Sequence, residues 1–184
     1  AAAKRGMRIF SQADTILRGA SLERFFAESG IPQEQLGNLQ WILSVSRIAA
    51  LCPNCKVETR AAWAEARQLR NWVMRWGEDL VPGGERGLEE FLWEHPFYTS
   101  EGCPTCQNSG RLGDVPLLDV YRPSGGDPGA SLAGSLLARE TCALQLAFRG
   151  QVALKDLFRM DEDLFYQTFQ RLNARQEKLG DSEL

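Results

Sequence analysis

The chain has 184 residues, of which 43% are hydrophobic and 24% are charged, so it is long enough to form a packed globular core. Lys and Arg number 21 against 24 Asp and Glu, and the net charge of -3 argues against a nucleic-acid-binding protein, which normally presents a basic face. No apolar run approaches the roughly 18 residues that a membrane-spanning helix needs.

The N-terminus has no apolar segment of the kind that a secretory signal contains, and we therefore expect a cytoplasmic location. The sequence does not begin with Met, which leads us to expect a processed product or a piece of a longer chain.

The N-terminal region is predicted to contain one strand and two helices. Residues 7–12 have the composition of a short strand, and a helix is predicted over 17–29, ended by Gly30. A second helix is predicted to start at Pro32 and to run directly into Cys52. Its apolar residues recur at helical spacing: Leu36, Leu39, Ile42, Leu43 and Ile48.

The rest of the chain is predicted to be mainly helical. Helices are expected over 59–76 and 86–94, with a break at 82–84, where the sequence is Pro-Gly-Gly. A strand is predicted over 115–121, followed by a loop rich in Gly and Pro at 123–129. The remaining predicted helices cover 131–149, 152–159 and 162–178.

Four of the five cysteines form two matching Cys-Pro-x-Cys pairs. Each such turn supplies two thiolates from one tight loop, and two turns complete the tetrahedral ligand set that zinc prefers. We therefore predict one structural zinc site, with no open coordination position for catalysis, made by Cys52, Cys55, Cys103 and Cys106. The 47 residues from 56 to 102 lie between the pairs and are expected to form a small subdomain.

Two other uses of the cysteine pairs remain as alternatives. A redox dithiol of the thioredoxin type needs a strand-to-helix junction, which neither pair shows clearly. An iron–sulfur cluster is disfavoured by the long gap between the pairs.

No pattern typical of a catalytic site is found elsewhere: there is no phosphate loop, no G-x-S-x-G motif and no H-E-x-x-H motif. His95 is interpreted as a surface or packing residue and Cys142 as a buried small hydrophobic residue. Four tryptophans are predicted to pack in the core of the subdomain, with an exposed patch for a partner protein as the alternative: Trp63, Trp72, Trp76 and Trp93.

Four stretches of the sequence carry a resemblance to a known family. The two most specific are 51–55, Leu-Cys-Pro-Asn-Cys, and 102–110, Gly-Cys-Pro-Thr-Cys-Gln-Asn-Ser-Gly. The others are 6–14, similar to a strand that leads into a histidine box, and a closing segment at 146–159. Together they resemble the C-terminal part of the hexameric secretion ATPases, the motors of type II secretion and type IV pilus assembly.

The resemblance implies an α/β fragment that is mainly α-helical. Residues 1–50 would be the C-terminal part of a RecA-like ATPase core, 51–116 a tetracysteine zinc-binding subdomain and 117–184 a C-terminal helical region. The four cysteines match the zinc ligands of the family.

The implied function is that of a zinc-stabilised structural and contact region of a hexameric secretion or pilus-assembly ATPase. Its partners would be the other subunits of a homo-hexamer and an inner-membrane platform protein, which places it in the cytoplasm, peripheral to the inner membrane. ATP and Mg²⁺ would bind only in the parent motor, because the phosphate loop and the magnesium ligands would precede residue 1. No catalytic activity is expected for this chain alone.

Several positions depart from the family pattern. Asp14 stands where the family has its histidine, and Asp114 and Pro116 stand where it has an arginine and a glycine, whereas Asp119 keeps the acidic character. The alternative function is a free-standing zinc-stabilised adaptor that binds a protein partner and has no motor activity. A zinc-ribbon nucleic-acid binder is disfavoured by the acidic balance of the chain.

Overall fold

The structure is a computed structural model and describes residues 10–15, 17–123 and 134–160. The chain divides into two compact units. The first unit comprises Ala1–Ser46 and Pro116–Cys142, and the second comprises Arg47–Val115 and Ala143–Leu184. The predicted division into functional regions at residues 50 and 116 stays a prediction.

The described residues form six α-helices and five strands. In chain order these are α1 (Gly19–Glu28), α2 (Gln33–Leu36), β1 (Ile42–Leu51), β2 (Lys56–Thr59), α3 (Trp63–Trp76), α4 (Leu88–Glu94), β3 (Phe97–Ser100), β4 (Arg111–Arg122), β5 (Gly134–Leu137), α5 (Arg139–Phe148) and α6 (154–160). Strands β1, β4 and β5 form one sheet in that spatial order, and β2 pairs with β3 in a separate ribbon. The pairs β2–β3 and β4–β5 are antiparallel.

The predicted fold class, an α/β fragment that is mainly α-helical and forms the end of a RecA-like core, is wrong. Helix of all kinds makes up 44% and strand 24% of the described residues, and the sheets are antiparallel, so the fold is mixed α/β. The prediction assigned helix to several segments that the structure places in strands.

The largest error concerns β1, which lies inside the helix predicted from Pro32 to Cys52. Ile42 and Ile48 are buried while Val45 is exposed. Residues six apart lie on one face of a strand, but on a helix they are turned by about 240° from each other. The β-branched side chains of all three residues also favour a strand, and only the four-residue α2 remains of the predicted helix.

Most of the other long helices are confirmed. Helices α1, α3, α4 and α6 lie within or close to the segments predicted at 17–29, 59–76, 86–94 and 152–159, and β4 includes the strand predicted at 115–121. The helix predicted at 131–149 is wrong in its first part, where β5 precedes α5. The short strands β2 and β3 had no counterpart in the prediction. Residues 10–12 form no strand, whereas 7–9 and 162–178 lie outside the described residues.

The first unit is held by a buried ion-pair network formed by Arg18, Asp119 and Glu140. The Arg18 guanidinium donates to the Asp119 carboxylate at 2.7 Å and to Glu140 at 2.5 Å. Close to α1, the hydroxyl of Tyr121 donates to Glu23 at 2.8 Å. Burial and this carboxylate raise the pKa of Tyr121 to about 12. The Arg18 network therefore connects segments of the first unit that are distant in sequence.

The second unit has an apolar core built around α3 and α4. Its fully buried side chains include Leu69 and Val73 from α3, Leu88 from α4 and Leu157 from α6. An aromatic cluster lies in the same unit: Phe91, His95, Phe97 and Phe148.

Candidate metal centre

The structure brings all four predicted ligands together in the second unit. The Sγ–Sγ distance is 3.9 Å between Cys52 and Cys103, and 3.7 Å both between Cys55 and Cys106 and between Cys103 and Cys106. All four Sγ atoms lie within 4.8 Å of one another. None of these cysteines is in a disulfide.

These separations fit a tetrahedral metal ion. A Zn–S bond of about 2.3 Å sets the edge of a thiolate tetrahedron at about 3.8 Å. The three Sγ–Sγ distances given above, 3.7 to 3.9 Å, agree with this edge. The cluster could therefore hold a metal ion. The geometry alone does not name the ion, because iron also accepts four tetrahedral thiolates.

The first cysteine turn, Cys52–Cys55, joins β1 to β2. Cys52 follows the last residue of β1, and its carbonyl accepts hydrogen bonds from the N–H of Cys55 at 3.4 Å and of Lys56 at 3.0 Å. The turn is thus closed by its own backbone, and β2 begins directly after its second thiol.

The second cysteine turn, Cys103–Cys106, is a single turn of 3-10 helix. The Cys103 carbonyl accepts from the N–H of Cys106 at 3.2 Å and of Asn108 at 2.9 Å. Gly102, which precedes it, has a φ of +92°, and a Cβ at this position would lie 2.6 Å from the carbonyl oxygen of Asn108. Only glycine fits there without a shift of the backbone.

The β2–β3 ribbon brings the two turns together. Lys56, which follows the first turn, pairs with Ser100, which lies three residues before the second. Between the turns, the side-chain amide of Asn54 donates to the hydroxyl of Thr105 at 3.3 Å. Pairing across the ribbon therefore places four thiols that are far apart in sequence at one point.

One residue, Gly110, contacts both turns. The N–H of Gly110 donates to Sγ of Cys106 at 3.2 Å, and its carbonyl accepts from the N–H of Cys52 at 3.0 Å and from the Ser100 hydroxyl at 2.7 Å. Its φ is +71°, and a Cβ there would lie 2.1 Å from Oγ of Ser100. A residue larger than glycine would disturb the contacts that surround both turns.

Backbone N–H groups already favour thiolates in the second turn. Burial raises the pKa of Cys106, but hydrogen bonds from the N–H groups of Cys103 and Gly110 lower it to about 6. The pKa of Cys103 is lowered mainly by the N–H of Cys106. Burial and hydrogen bonds with the other thiols raise the pKa of Cys55 to about 12. A bound cation must therefore displace the protons that the coupled thiols retain, so metal binding releases protons.

His95 has a packing role. Its ring stacks on Phe91 with centroids 4.5 Å apart, and Nε2 lies 3.0 Å from the carbonyl oxygen of Phe148. The interpretation of His95 as a packing residue agrees with these contacts.

Cys142 and the tryptophans depart in part from expectation. Cys142 is half-buried, and its thiol lies 3.6 Å from the carbonyl oxygen of Leu118. Trp72 is in the core with 3% of its surface exposed, whereas Trp63 and Trp93 are 70% and 59% exposed. The core prediction is thus right for Trp72 and wrong for Trp63 and Trp93.

Residues that the sequence did not single out surround the metal centre. Gly110 appeared only within a family-like stretch, and the ion pair of Arg111 with Asp156 had no signal, because its partners are 45 residues apart. Of the positions compared with the family, Asp14 and Asp114 are exposed and Asp119 belongs to the Arg18 network of the first unit.

Comparison with known proteins finds no family model that matches the chain and no curated protein that matches it. Within the described ranges, none of the helices combines the length and the apolar character needed to cross a bilayer.

Proposed function

We propose that the chain is a structural module whose second unit is stabilised by one zinc ion bound to Cys52, Cys55, Cys103 and Cys106. The observation that carries this proposal is the Sγ–Sγ separation of 3.7 to 3.9 Å, which is the edge of a zinc–thiolate tetrahedron. Four thiolates fill the coordination shell, so the ion would stabilise the fold and would not bind a substrate.

Metal analysis of purified protein tests this proposal. We expect close to one zinc per chain, and replacement by Co²⁺ should give the visible absorption of a tetrahedral thiolate complex. The control is the quadruple Cys→Ser variant at the four ligand positions. Protein that carries no near-stoichiometric metal, and whose melting a chelator leaves unchanged, would overturn the proposal. Stoichiometric iron instead of zinc would overturn the identity of the ion.

We further propose that this module is the structural and contact region of a hexameric secretion or pilus-assembly ATPase, with a homo-hexamer and an inner-membrane platform protein as partners. The supporting observation is steric. Gly102 and Gly110 are glycines of the family-like stretch around the second cysteine turn, and both have a positive φ and no room for a Cβ.

The reading frame that precedes residue 1 tests the motor proposal against an adaptor that binds a protein partner. A phosphate loop encoded upstream supports the motor, in which ATP and Mg²⁺ bind outside this chain. An initiation codon directly before residue 1 overturns it and favours the adaptor.

A further inference from the structure

The segment 150–156 contacts the residues on either side of the first cysteine turn. The N–H of Leu51, the residue before Cys52, donates to the carbonyl of Gln151 at 2.8 Å. The Nζ of Lys56, the residue after Cys55, donates to the carbonyl of Gly150 at 3.2 Å. Both ends of the first cysteine turn are therefore bound to the same short segment.

A buried ion pair binds the segment to the residue that follows Gly110. Arg111 donates to the Asp156 carboxylate through Nε at 3.0 Å and through Nη2 at 2.7 and 2.5 Å. The two side chains are only 20% and 9% exposed. The bidentate geometry fixes direction as well as distance. Loss of Arg111 leaves the Asp156 carboxylate with only the longer contact to Arg159, at 3.9 Å, and loss of the carboxylate charge leaves Arg111 without this partner.

Close packing limits the position of the segment further. Gly150 has a φ of +64°, and a Cβ there would lie 2.4 Å from the ring of Tyr98 on β3. The Nζ of Lys56 lies 4.9 Å from the centroid of the same ring. The segment thus rests directly on the β2–β3 ribbon that brings the turns together.

We propose that segment 150–156 positions the cysteine turns for metal binding, and that the bound metal in turn anchors this segment, with Arg111 and Asp156 as the positioning pair. Arg111 acts through Gly110, whose N–H contacts Sγ of Cys106 and whose carbonyl contacts the N–H of Cys52. Since coupling between two events is reciprocal, each must strengthen the other by the same factor. The inference rests on the proposed function as a metal site.

Zinc affinity of the full chain, measured by competition with a chromophoric chelator at fixed pH, tests the first half of the coupling. We expect Arg111→Met and Asp156→Asn each to weaken zinc binding about 10-fold, the lower end of the loss seen when outer contacts of metal sites are removed. The double variant should lose less than the product of the two single losses, because both remove the same ion pair.

A second ion pair in the same unit supplies the matched control. Arg70 and Glu89 are 3.3 Å apart and largely exposed, and they join α3 to α4. Arg70→Met and Glu89→Gln should leave zinc affinity within twofold of the parent protein. Equal losses in both sets of variants would overturn the proposal, because they would show a general effect of removing charge.

Hydrogen exchange tests the reverse direction. In the parent protein, amides of segment 150–156 should exchange at least 10-fold faster in the zinc-free form than in the zinc-saturated form. Unchanged exchange in 150–156 would overturn the anchoring role.

The outcomes separate the two proposals. A chain that binds no zinc overturns the metal site itself. A chain that binds zinc with the same affinity in the parent, Arg111→Met and Asp156→Asn forms overturns the positioning role alone. Asp156→Asn keeps the shape of the side chain, so it serves if Arg111→Met fails to fold.

Discussion

The two units join distant parts of the chain by different chemistry. In the second unit, Cys52 and Cys103 are 51 residues apart and their thiols lie 3.9 Å from each other. In the first unit, Arg18 contacts Asp119 and Glu140 across 101 and 122 residues. One unit uses soft ligands suited to a metal ion, and the other uses a guanidinium between two carboxylates.

The difference matters because a metal site and an ion-pair network respond to different conditions. A structural metal supplies a large share of folding free energy and is removed by chelation. A buried ion pair contributes little relative to an apolar replacement, yet it is costly to break on one side only. We therefore expect chelators to act on the second unit, and removal of the Arg18 or Glu140 charge to act on the first.

The largest expected effect follows from Cys52→Ser. Apparent zinc binding free energies are about 10–16 kcal/mol for four ligands, so loss of one thiolate should cost about 4 kcal/mol. Residues 56–102 should become sensitive to limited proteolysis, followed by mass spectrometry, and Cys103→Ser should behave alike. Resistance of residues 56–102 equal to that of the parent protein would contradict the role of the metal in this unit.

Arg18→Met should have the next largest effect. The change leaves the buried Asp119 without Arg18 and leaves Glu140 with Arg139, whose Nε lies 3.2 Å away. Removal of one partner costs about 3–5 kcal/mol in a fully buried pair. We expect about 2 kcal/mol here, because 22% of the Arg18 side chain is exposed. Urea denaturation measures the loss, and zinc affinity should stay unchanged. A loss of zinc affinity in this variant would contradict the expectation that the two units are stabilised independently.

The pH dependence of the free energy of unfolding tests the same difference between the units. Burial raises the pKa of Glu140, but the hydrogen bond and charge of Arg18 outweigh it and leave the pKa below its ordinary value of 4.5. A carboxyl group whose pKa is lower in the folded state than in the unfolded state stabilises the fold at pH values above its unfolded-state pKa. This stabilisation is lost as the pH falls through the folded-state pKa. Urea denaturation should show Glu140→Gln less stable than the parent by about 1 kcal/mol at pH 6, with the gap closing below pH 4.5. A gap that is constant with pH would contradict the ion pair.

The smallest effect is expected for Cys142→Ala. Cys142 is the cysteine outside the matched pairs, is half-buried, and makes one long contact with the carbonyl of Leu118. We expect a change in the free energy of unfolding below about 1 kcal/mol and unaltered metal content. Loss of metal in this variant would show that the four-thiol site is incomplete.

The metal centre could be predicted from the sequence because its signal is local and repeated. Each Cys-Pro-x-Cys turn supplies two ligands within four residues, and the two turns match. The ribbon that unites them was not predictable in the same way, since Val57 pairs with Thr99 across 42 residues and each strand has only four residues. Neither strand is long enough for an alternation of apolar and polar residues to be recognised in the sequence.

Strand β1 and the Arg18 network were predicted less well for a related reason. The apolar residues before Cys52 fit a helix by spacing, and only the burial of Ile42 and Ile48 with exposure of Val45 shows the strand. The Arg18 network has no sequence motif, because the residues that form it come from three distant segments. Pairing of charges at such separations is decided by the folded chain and not by local sequence.

The β2–β3 ribbon fixes where the chain leaves the metal site and where it returns to it. Thr59 pairs with Phe97, so the chain leaves the ribbon and returns to it at neighbouring points. The entropy of closing such a loop rises by only about 0.6 kcal/mol for each doubling of its length. A longer connection between α3 and α4 should therefore be tolerated while the ribbon and the core helices keep their places.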